Sequence, residues 1–305
     1  MKTALTRSKN KNKISNGVVD WIITDSCNYN CSYCRNESRK PKNENKDDNL
    51  DELLIKIKKN LKGIWRFNLI GGEPFVRSDF LHVVEQLASM NHHFSIYTNF
   101  SSSWGKIKRF LEITGKNLDI FYASLHLEET NLDSFLEKAI KVKKIFPDLF
   151  IISIAGSNQK EILESAVKEF NKYKIPHIIR MQRLRNDKFL NYPKDYLDFM
   201  KKSNLKQLAF FDESKINIID KSLYAKRHKK IFLFKGYNCW AGSRYFVLLN
   251  NGDAFKCFPA KREKKGYLGN MLNDSFLLKK NFSECEFDVC FCSDVYFNGF
   301  IEKRS

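Results

Sequence analysis

The eight cysteines of the 305-residue chain fall into two groups near its two ends. The stretch "TDSCNYNCSYC" places Cys27, Cys31 and Cys34 within eight residues. The other five are Cys239, Cys257, Cys285, Cys290 and Cys292. In a reducing compartment disulfides are rare, and clustered thiols more often bind metals. The two groups therefore predict two separate metal or iron–sulfur sites.

The first group has the spacing C-x3-C-x2-C and follows the apolar run "VVDWIIT" directly. A structural zinc site uses four protein ligands, and no fourth Cys or His lies nearby in the sequence. A [4Fe–4S] cluster with three cysteine ligands keeps its fourth iron open for a substrate or cofactor. The spacing favours such a cluster, with a zinc site or buried thiols as the alternatives.

The segments around the first group alternate between strand-like and helix-like patterns. β-Branched and aromatic runs are "VVDWIIT", "RFNLIG", "HFSIYT", "LDIFYAS", "LFIISIA" and "HIIRMQ". Amphipathic stretches lie between them at 50–61, 79–90, 106–114, 132–146 and 160–173. This alternation predicts an α/β fold with a parallel sheet, built as a partial (β/α)6 TIM-type barrel. Functional groups in such folds lie at the carboxyl ends of the strands, so each motif should follow a strand.

The motifs at these strand ends resemble those of the radical S-adenosylmethionine (SAM) superfamily over residues 18–182. The cysteine stretch resembles its cluster motif, "LIGGEPF" its GGEP motif, and "YTNF" its TN pair. "ASLHLEE" follows the fourth strand, and "ISIAGSNQKE" matches the pattern of the fifth only in part. The resemblance implies that Cys27, Cys31 and Cys34 bind a [4Fe–4S] cluster and that its open iron binds SAM.

The resemblance also implies the residues that contact SAM. They are Tyr33, Gly71, Gly72, Glu73, Pro74, Thr98, Asn99, Ser124, His126, Ile154, Gly156 and Arg180. Two glycines allow backbone carbonyls to approach an ammonium closely, and Glu73 adds negative charge. Arg180 could pair with the SAM carboxylate, with Arg183 and Arg185 as rivals. Reductive cleavage of SAM would then give a 5′-deoxyadenosyl radical that abstracts a substrate hydrogen.

The second cysteine group lies around a predicted β-hairpin, "RYFVLLNNGDAFKCF", with its turn at Asn251-Gly252. This region resembles the SPASM or twitch extensions of radical SAM enzymes, which bind auxiliary clusters. Five cysteines favour one auxiliary [4Fe–4S] cluster with four ligands, and a zinc ribbon is the alternative. The spare thiol, among Cys285, Cys290 and Cys292, is a candidate hydrogen donor or a buried thiol.

These patterns predict four parts of the chain. They are a basic N-terminal arm at 1–17, a radical SAM core at 18–185, a connecting segment at 186–235 and a small α+β auxiliary-cluster domain at 236–305. The N-terminal arm lacks an apolar secretory core, and no run is long enough to cross a bilayer. We therefore expect a cytoplasmic protein that does not act at a membrane.

The net charge of the chain raises the question whether it binds nucleic acid. Lys and Arg number 53 against 35 Asp and Glu, for a formal charge of +18. Such a charge is compatible with nucleic-acid binding, although lysines on solvated helix faces explain it equally well. Nucleic acid is therefore a partner that we consider but do not favour.

The resemblance implies an oxidoreductase-type enzyme that dehydrogenates or epimerises a carbohydrate or another small metabolite. No obvious N-terminal peptide-recognition domain is present, which disfavours a peptide-modifying maturase as the alternative. A viperin-like nucleotide enzyme, an RNA-modifying radical enzyme and a non-catalytic iron–sulfur sensor also stay open. An electron donor such as flavodoxin or ferredoxin is implied as a partner.

Overall fold

A computed structural model describes residues 16–34, 49–184, 189–208, 234–287 and 300–302. Three residues singled out from the sequence, Arg185, Cys290 and Cys292, lie outside the described residues. So do most of the predicted N-terminal arm and most of the predicted connecting segment.

The first part of the chain alternates strands and helices as the sequence predicts. Its elements are β1 (Gly17–Thr24), α1 (Leu50–Asn60), β2 (Trp65–Gly71), α2 (Phe80–Ser89), β3 (His93–Thr98), α3 (Trp104–Thr114), β4 (Leu118–Leu125), α4 (Leu132–Ile145), β5 (Leu149–Ala155), α5 (Lys160–Lys172), β6 (His177–Met181) and α6 (Lys194–Leu208). Short 3-10 helices span Pro74–Val76 and Gly115–Asn117. All six predicted strands and all five predicted helices are confirmed, with ends shifted by up to two residues.

The strands β1 to β6 are parallel and lie side by side in chain order. Alternate residues face the helices and form the main core, among them Trp21, Phe67 and Ile96, which are fully buried. The other residues face the opposite side, which we call the inner face. This α/β arrangement, with a central parallel sheet of six strands, is consistent with a partial TIM-type barrel.

The C-terminal part adds β7 (Asn238–Cys239), β8 (Tyr245–Leu249), β9 (Asp253–Phe255), α7 (Phe258–Arg262), β10 (Tyr267–Asn270), β11 (Ser283–Glu284) and β12 (Ile301–Glu302). The predicted hairpin is confirmed, since β8 and β9 are antiparallel and Gly252 has a φ of +85° in the turn. β7, β11 and β12 form a separate three-stranded sheet.

The hairpin does not stand apart from the main sheet. β8 pairs in parallel with β1, so the sheet has the order β10-β9-β8-β1-β2-β3-β4-β5-β6. Phe246 and Leu248 pack in the main core, whereas Tyr245 and Val247 pack on the other side of β8. Residues of the predicted C-terminal domain therefore extend the sheet of the radical SAM-like part, and the boundary at residue 236 stays a prediction.

A buried polar network links three strands on the inner face. The Asp20 carboxylate on β1 accepts a hydrogen bond from Asn68 Nδ2 at 2.5 Å and from the Tyr245 hydroxyl at 2.6 Å. All three residues are buried. A buried carboxylate is tolerated only when donors replace its lost water, so this network ties β8 to β1 and β2.

No helix within the described ranges is both long enough and apolar enough to span a lipid bilayer.

We predict that Tyr245→Phe destabilises the fold, because it removes one donor from a buried carboxylate. The expected loss in the free energy of unfolding is about 1–3 kcal/mol. Urea denaturation at equal cluster content measures it. The matched control is Tyr267→Phe, which removes a hydroxyl that donates to Asp253 at an exposed site. Equal losses in the two variants would contradict a special role for the buried network.

Candidate functional site

A cavity of about 350 Å³ opens at the carboxyl ends of β1 to β4. Ten of the residues predicted from the sequence line it: Cys27, Cys31, Tyr33, Cys34, Gly71, Gly72, Thr98, Asn99, Ser124 and His126. Its volume is in the range of pockets that bind cofactors and small ligands. The strand-end rule thus brings motifs that are almost 100 residues apart in the sequence, from Cys27 to His126, to one place.

The three thiols of the cysteine loop lie at this cavity in a polar setting. Cys31 is buried, and Cys27 and Cys34 are half-buried. The Cys27 sulfur accepts from the backbone N–H of Tyr29 at 3.4 Å and from Asn99 Nδ2 at 3.8 Å. Burial raises the pKa of Cys27, and that of Cys31 to about 12. Iron must therefore displace their protons, and the N–H donors then stabilise the thiolates.

This donor set fits an iron–sulfur cluster held by three cysteines. Thiolates are the preferred ligands of such clusters, and the thiols lie beside a cavity that can take a further ligand of the cluster. In the part of the chain that the structure describes, no three His, Cys, Asp or Glu side chains gather closely enough to bind a single metal ion.

The two glycines after β2 let this strand end pack against the cysteine loop. Gly71 has a φ of +151°, and a Cβ there would lie 2.2 Å from the carbonyl oxygen of Thr24. A Cβ on Gly72 would lie 2.0 Å from the carbonyl oxygen of Ser26. Neither distance is physically attainable, so any side chain would push the loop with Cys27 away. The glycines thus have a local packing role besides the one predicted toward SAM.

Glu73 is fully buried and does not line the cavity. Its carboxylate accepts from the Thr98 hydroxyl at 2.8 Å, from the Asn99 N–H at 2.6 Å and from the Phe75 N–H at 3.1 Å. Burial outweighs these donors and raises its pKa to about 7. Glu73 therefore joins the turn after β2 to the end of β3 and positions Thr98 and Asn99. Its predicted contact with the SAM ammonium stays a prediction, as does that of Pro74, which is buried in the 3-10 helix.

The end of β4 contacts the cysteine loop at two points. The Glu128 carboxylate accepts from the N–H and the hydroxyl of Ser32, both at 2.7 Å. The Tyr33 hydroxyl lies 2.7 Å from His126 Nδ1, and the two rings stack with centroids 5.8 Å apart. Burial lowers the pKa of His126 to about 4, so its ring is neutral near pH 7, and its tautomer decides which partner donates in the contact with Tyr33. His126 thus orients Tyr33, and contacts of either residue with SAM stay predictions.

The predicted residues of β5 and β6 do not line this cavity. Ile154 packs on the inner face with Phe150 and Ile152. The backbone N–H of Gly156 donates to Gln159 Oε1 at 3.0 Å. Arg180 is exposed and faces the same side as Ile154, its register partner. The predicted SAM contacts of Ile154, Gly156 and Arg180 are not tested by this placement.

Three lining residues were missed from the sequence, namely Tyr29, Ile70 and Tyr97. The alternation of side chains along a strand could have indicated that two of them face the cavity. Ile70 and Tyr97 stand on their strands at positions that alternate with the core residues Leu69 and Ile96. Tyr29 lies in the cysteine loop, where no periodicity applies.

In the second cysteine group, Cys239, Cys257 and Cys285 are all buried and belong to one apolar cluster. This cluster includes Tyr245 and Val247 of β8. The Lys256 ammonium forms an ion pair with the carboxylate of Glu286. Lys256 is the sequence neighbour of Cys257, and Glu286 is that of Cys285. The three cysteines thus share one buried region of the C-terminal part. Ligation by these residues and by Cys290 and Cys292 stays a prediction.

Comparison with known families decides the assignment of the first part of the chain. The sequence model of the radical SAM superfamily matches residues 21–181, more than half of the chain. The chain belongs to the radical SAM superfamily. Members of this superfamily are enzymes, and membership implies SAM and a [4Fe–4S] cluster as cofactors. No curated protein sequence matches the chain.

Solved structures with low sequence identity share the fold of this radical SAM protein. Streptococcus suis SuiB bound to S-adenosylmethionine has a TM-score of 0.56 at 16% identity, and the match covers 87% of this chain and 66% of SuiB. SuiB bound to the precursor peptide SuiA has a TM-score of 0.57 at 16% identity, covering 88% and 65%. anSMEcpe with bound AdoMet and Cp18Cys peptide has a TM-score of 0.56 at 18% identity, covering 85% and 78%. The chain thus spans slightly less than two thirds of the length of SuiB.

We predict that Glu128→Ala loosens the cysteine loop, because the Ser32 N–H and hydroxyl lose their acceptor. Two hydrogen bonds at an exposed site are worth about 1–2 kcal/mol together. Iron loss from the reconstituted protein in air should therefore be about three- to tenfold faster, as followed by absorbance of the cluster.

Glu129→Ala is the matched control for this variant. Glu129 is the exposed neighbour of Glu128. It carries the same charge, but its carboxylate forms no ion pair or hydrogen bond with any of the described residues. Equal rates of iron loss in the two variants would show that the Ser32–Glu128 contact does not stabilise the loop.

Proposed function

We propose that this protein is a radical SAM enzyme that dehydrogenates or epimerises a carbohydrate or another small metabolite. The observation that supports the proposal most strongly is one cavity lined by three thiols, the Gly71-Gly72 turn and the Thr98–Asn99 pair. A protein that only bound a cluster would need the thiols but not the other two motifs.

When bound, a reduced [4Fe–4S] cluster and SAM would supply the difficult chemistry, the radical abstraction of a hydrogen from the substrate. The chain's own residues bind and orient. Cys27, Cys31 and Cys34 would hold the cluster, and Gly71 and Gly72 keep the two loops close together. Tyr33, fixed by His126, presents an aromatic ring to the cavity, and Ser124 supplies a hydroxyl group to its lining.

A second, auxiliary cluster forms part of the same proposal. Its support is that Cys239, Cys257 and Cys285 all belong to one buried apolar cluster, which also includes Val18 of β1. An auxiliary cluster at this place would accept an electron from a substrate radical or help to bind the substrate. A redox protein such as flavodoxin or ferredoxin would reduce the first cluster.

A peptide-modifying activity is the second candidate. It is favoured by the structural neighbours, since SuiB has been solved with the precursor peptide SuiA and anSMEcpe with the Cp18Cys peptide. These neighbours have 16% and 18% sequence identity to the chain. They therefore support the fold and only suggest the substrate class.

The proposed function is tested by SAM cleavage in oxygen-free, reconstituted protein. With dithionite as reductant, we expect 5′-deoxyadenosine from the wild-type protein and none above background from Cys31→Ala. The variant removes one of the three cluster ligands. Absence of 5′-deoxyadenosine from well-reduced wild-type protein with full iron content would contradict the enzymatic proposal and favour a sensor.

Iron analysis tests the auxiliary cluster separately. We expect about eight iron atoms per chain in the wild-type protein and about four in Cys257→Ala, since each [4Fe–4S] cluster contributes four. Cys31→Ala should also retain about four, bound at the other site. Zinc in place of iron in Cys31→Ala would instead indicate a zinc ribbon in the C-terminal part.

A further inference from the structure

Arg180 is the charged residue of β6 on the inner face of the sheet. Its neighbours Ile179 and Met181 pack in the main core on the opposite face, and its register partner on β5 is Ile154. Arg180 is exposed to solvent on this face. Arg180 therefore presents a positive charge on the inner face of the sheet, where solutes can reach it.

The wall around Arg180 is apolar and aromatic. Phe150, Ile152 and Ile178 are buried in one inner-face cluster, with Tyr97 and Tyr122 packed against them. The Tyr97 and Tyr122 rings stack with centroids 4.3 Å apart and an interplanar angle of 17°. Tyr97 also lines the cavity that contains the three cysteines, so this wall and that cavity share a residue.

Within the described ranges, no carboxylate forms an ion pair with Arg180. Tyr97 and Tyr122 lie close enough to Arg180 to interact with its charge. An anion bound beside this apolar wall would pair with Arg180 in a lower dielectric than bulk water, which strengthens the attraction. A pocket with an apolar wall and a single placed charge is the usual form of a small-ligand site. The net charge of +18 also raises the local concentration of anions.

We propose that Arg180, beside the Tyr97–Tyr122 pair, binds an oxyanion of the substrate, a phosphate or a carboxylate. This inference rests on the proposed function, because it assigns the substrate class to the same site. It is an alternative to the sequence-based assignment of Arg180 to the SAM carboxylate, and the two are distinguished by the test below. The cavity with the cysteines is lined by residues of β1 to β4 and their loops and does not include Arg180. The substrate would thus lie against β3, β4 and β6, with its anionic group at Arg180 and the remainder toward the cluster.

The test uses the full-length reconstituted protein and the variants Arg180→Gln and Arg180→Lys. Inorganic pyrophosphate is the phosphate probe and glutarate the carboxylate probe. Each is titrated by calorimetry at about 0.15 M salt, where the screening length is roughly 8 Å. SAM affinity is measured in the same samples. The control variant is Arg109→Gln, since Arg109 is an exposed arginine paired with Glu85 on the helix side of the sheet. This control variant also removes one positive charge, but at a position that is not on the inner face.

We expect at least one probe to bind the wild-type protein and Arg109→Gln equally. Its binding to Arg180→Gln should be weaker by about tenfold or more, with Arg180→Lys between them. SAM affinity should be the same in all four proteins. Tighter binding of pyrophosphate would assign a phosphate-bearing substrate, and tighter binding of glutarate a carboxylate-bearing one.

Three outcomes would overturn the inference. They are no binding of either probe to the wild-type protein, equal binding to Arg180→Gln, or a loss of SAM affinity in Arg180→Gln. The last result would return Arg180 to the SAM carboxylate. The proposed function fails by a different result, the absence of 5′-deoxyadenosine, and calorimetry of the anions does not depend on SAM cleavage.

Discussion

The site depends on the close backbone contact between the turn after β2 and the loop that begins at the end of β1. The Gly72 N–H donates to the Thr24 carbonyl, and the Glu73 N–H donates to the Ser26 carbonyl, both at 2.9 Å. This contact is attainable only because positions 71 and 72 lack a Cβ. It places the cysteine loop next to β2, and every other feature of the cavity is positioned relative to that loop.

Glu73 extends the same contact to the next strand at an electrostatic cost. Its fully buried carboxylate has three donors from β3 and its own turn, yet its pKa is raised to about 7. A cation bound nearby would favour the charged form and offset part of the cost. The SAM ammonium has the required charge. A structural role within the fold and an electrostatic role toward the cofactor are therefore compatible in one residue.

The sequence predicted those parts of the fold that follow from local patterns. Alternating periodicity located six strands and five helices, and the strand-end rule brought Cys27, Gly72, Thr98 and His126 to one cavity. Contacts between distant segments were not predictable in this way. Tyr245 and Asp20 are 225 positions apart, and no local pattern indicates that β8 pairs in parallel with β1. The Ser32–Glu128 contact was missed for the same reason, because it depends on loop conformations.

The central claim is that one iron of the N-terminal cluster lacks a protein thiolate and binds the amino and carboxylate groups of SAM. Electron–nuclear double resonance tests it most directly, on reduced Cys257→Ala protein with SAM labelled with ¹⁵N in the amino group and ¹⁷O in the carboxylate. Removing Cys257 leaves the N-terminal cluster as the source of the signal. We predict hyperfine coupling from both labels to the cluster. A full [4Fe–4S]⁺ signal without coupling from either label would contradict the account.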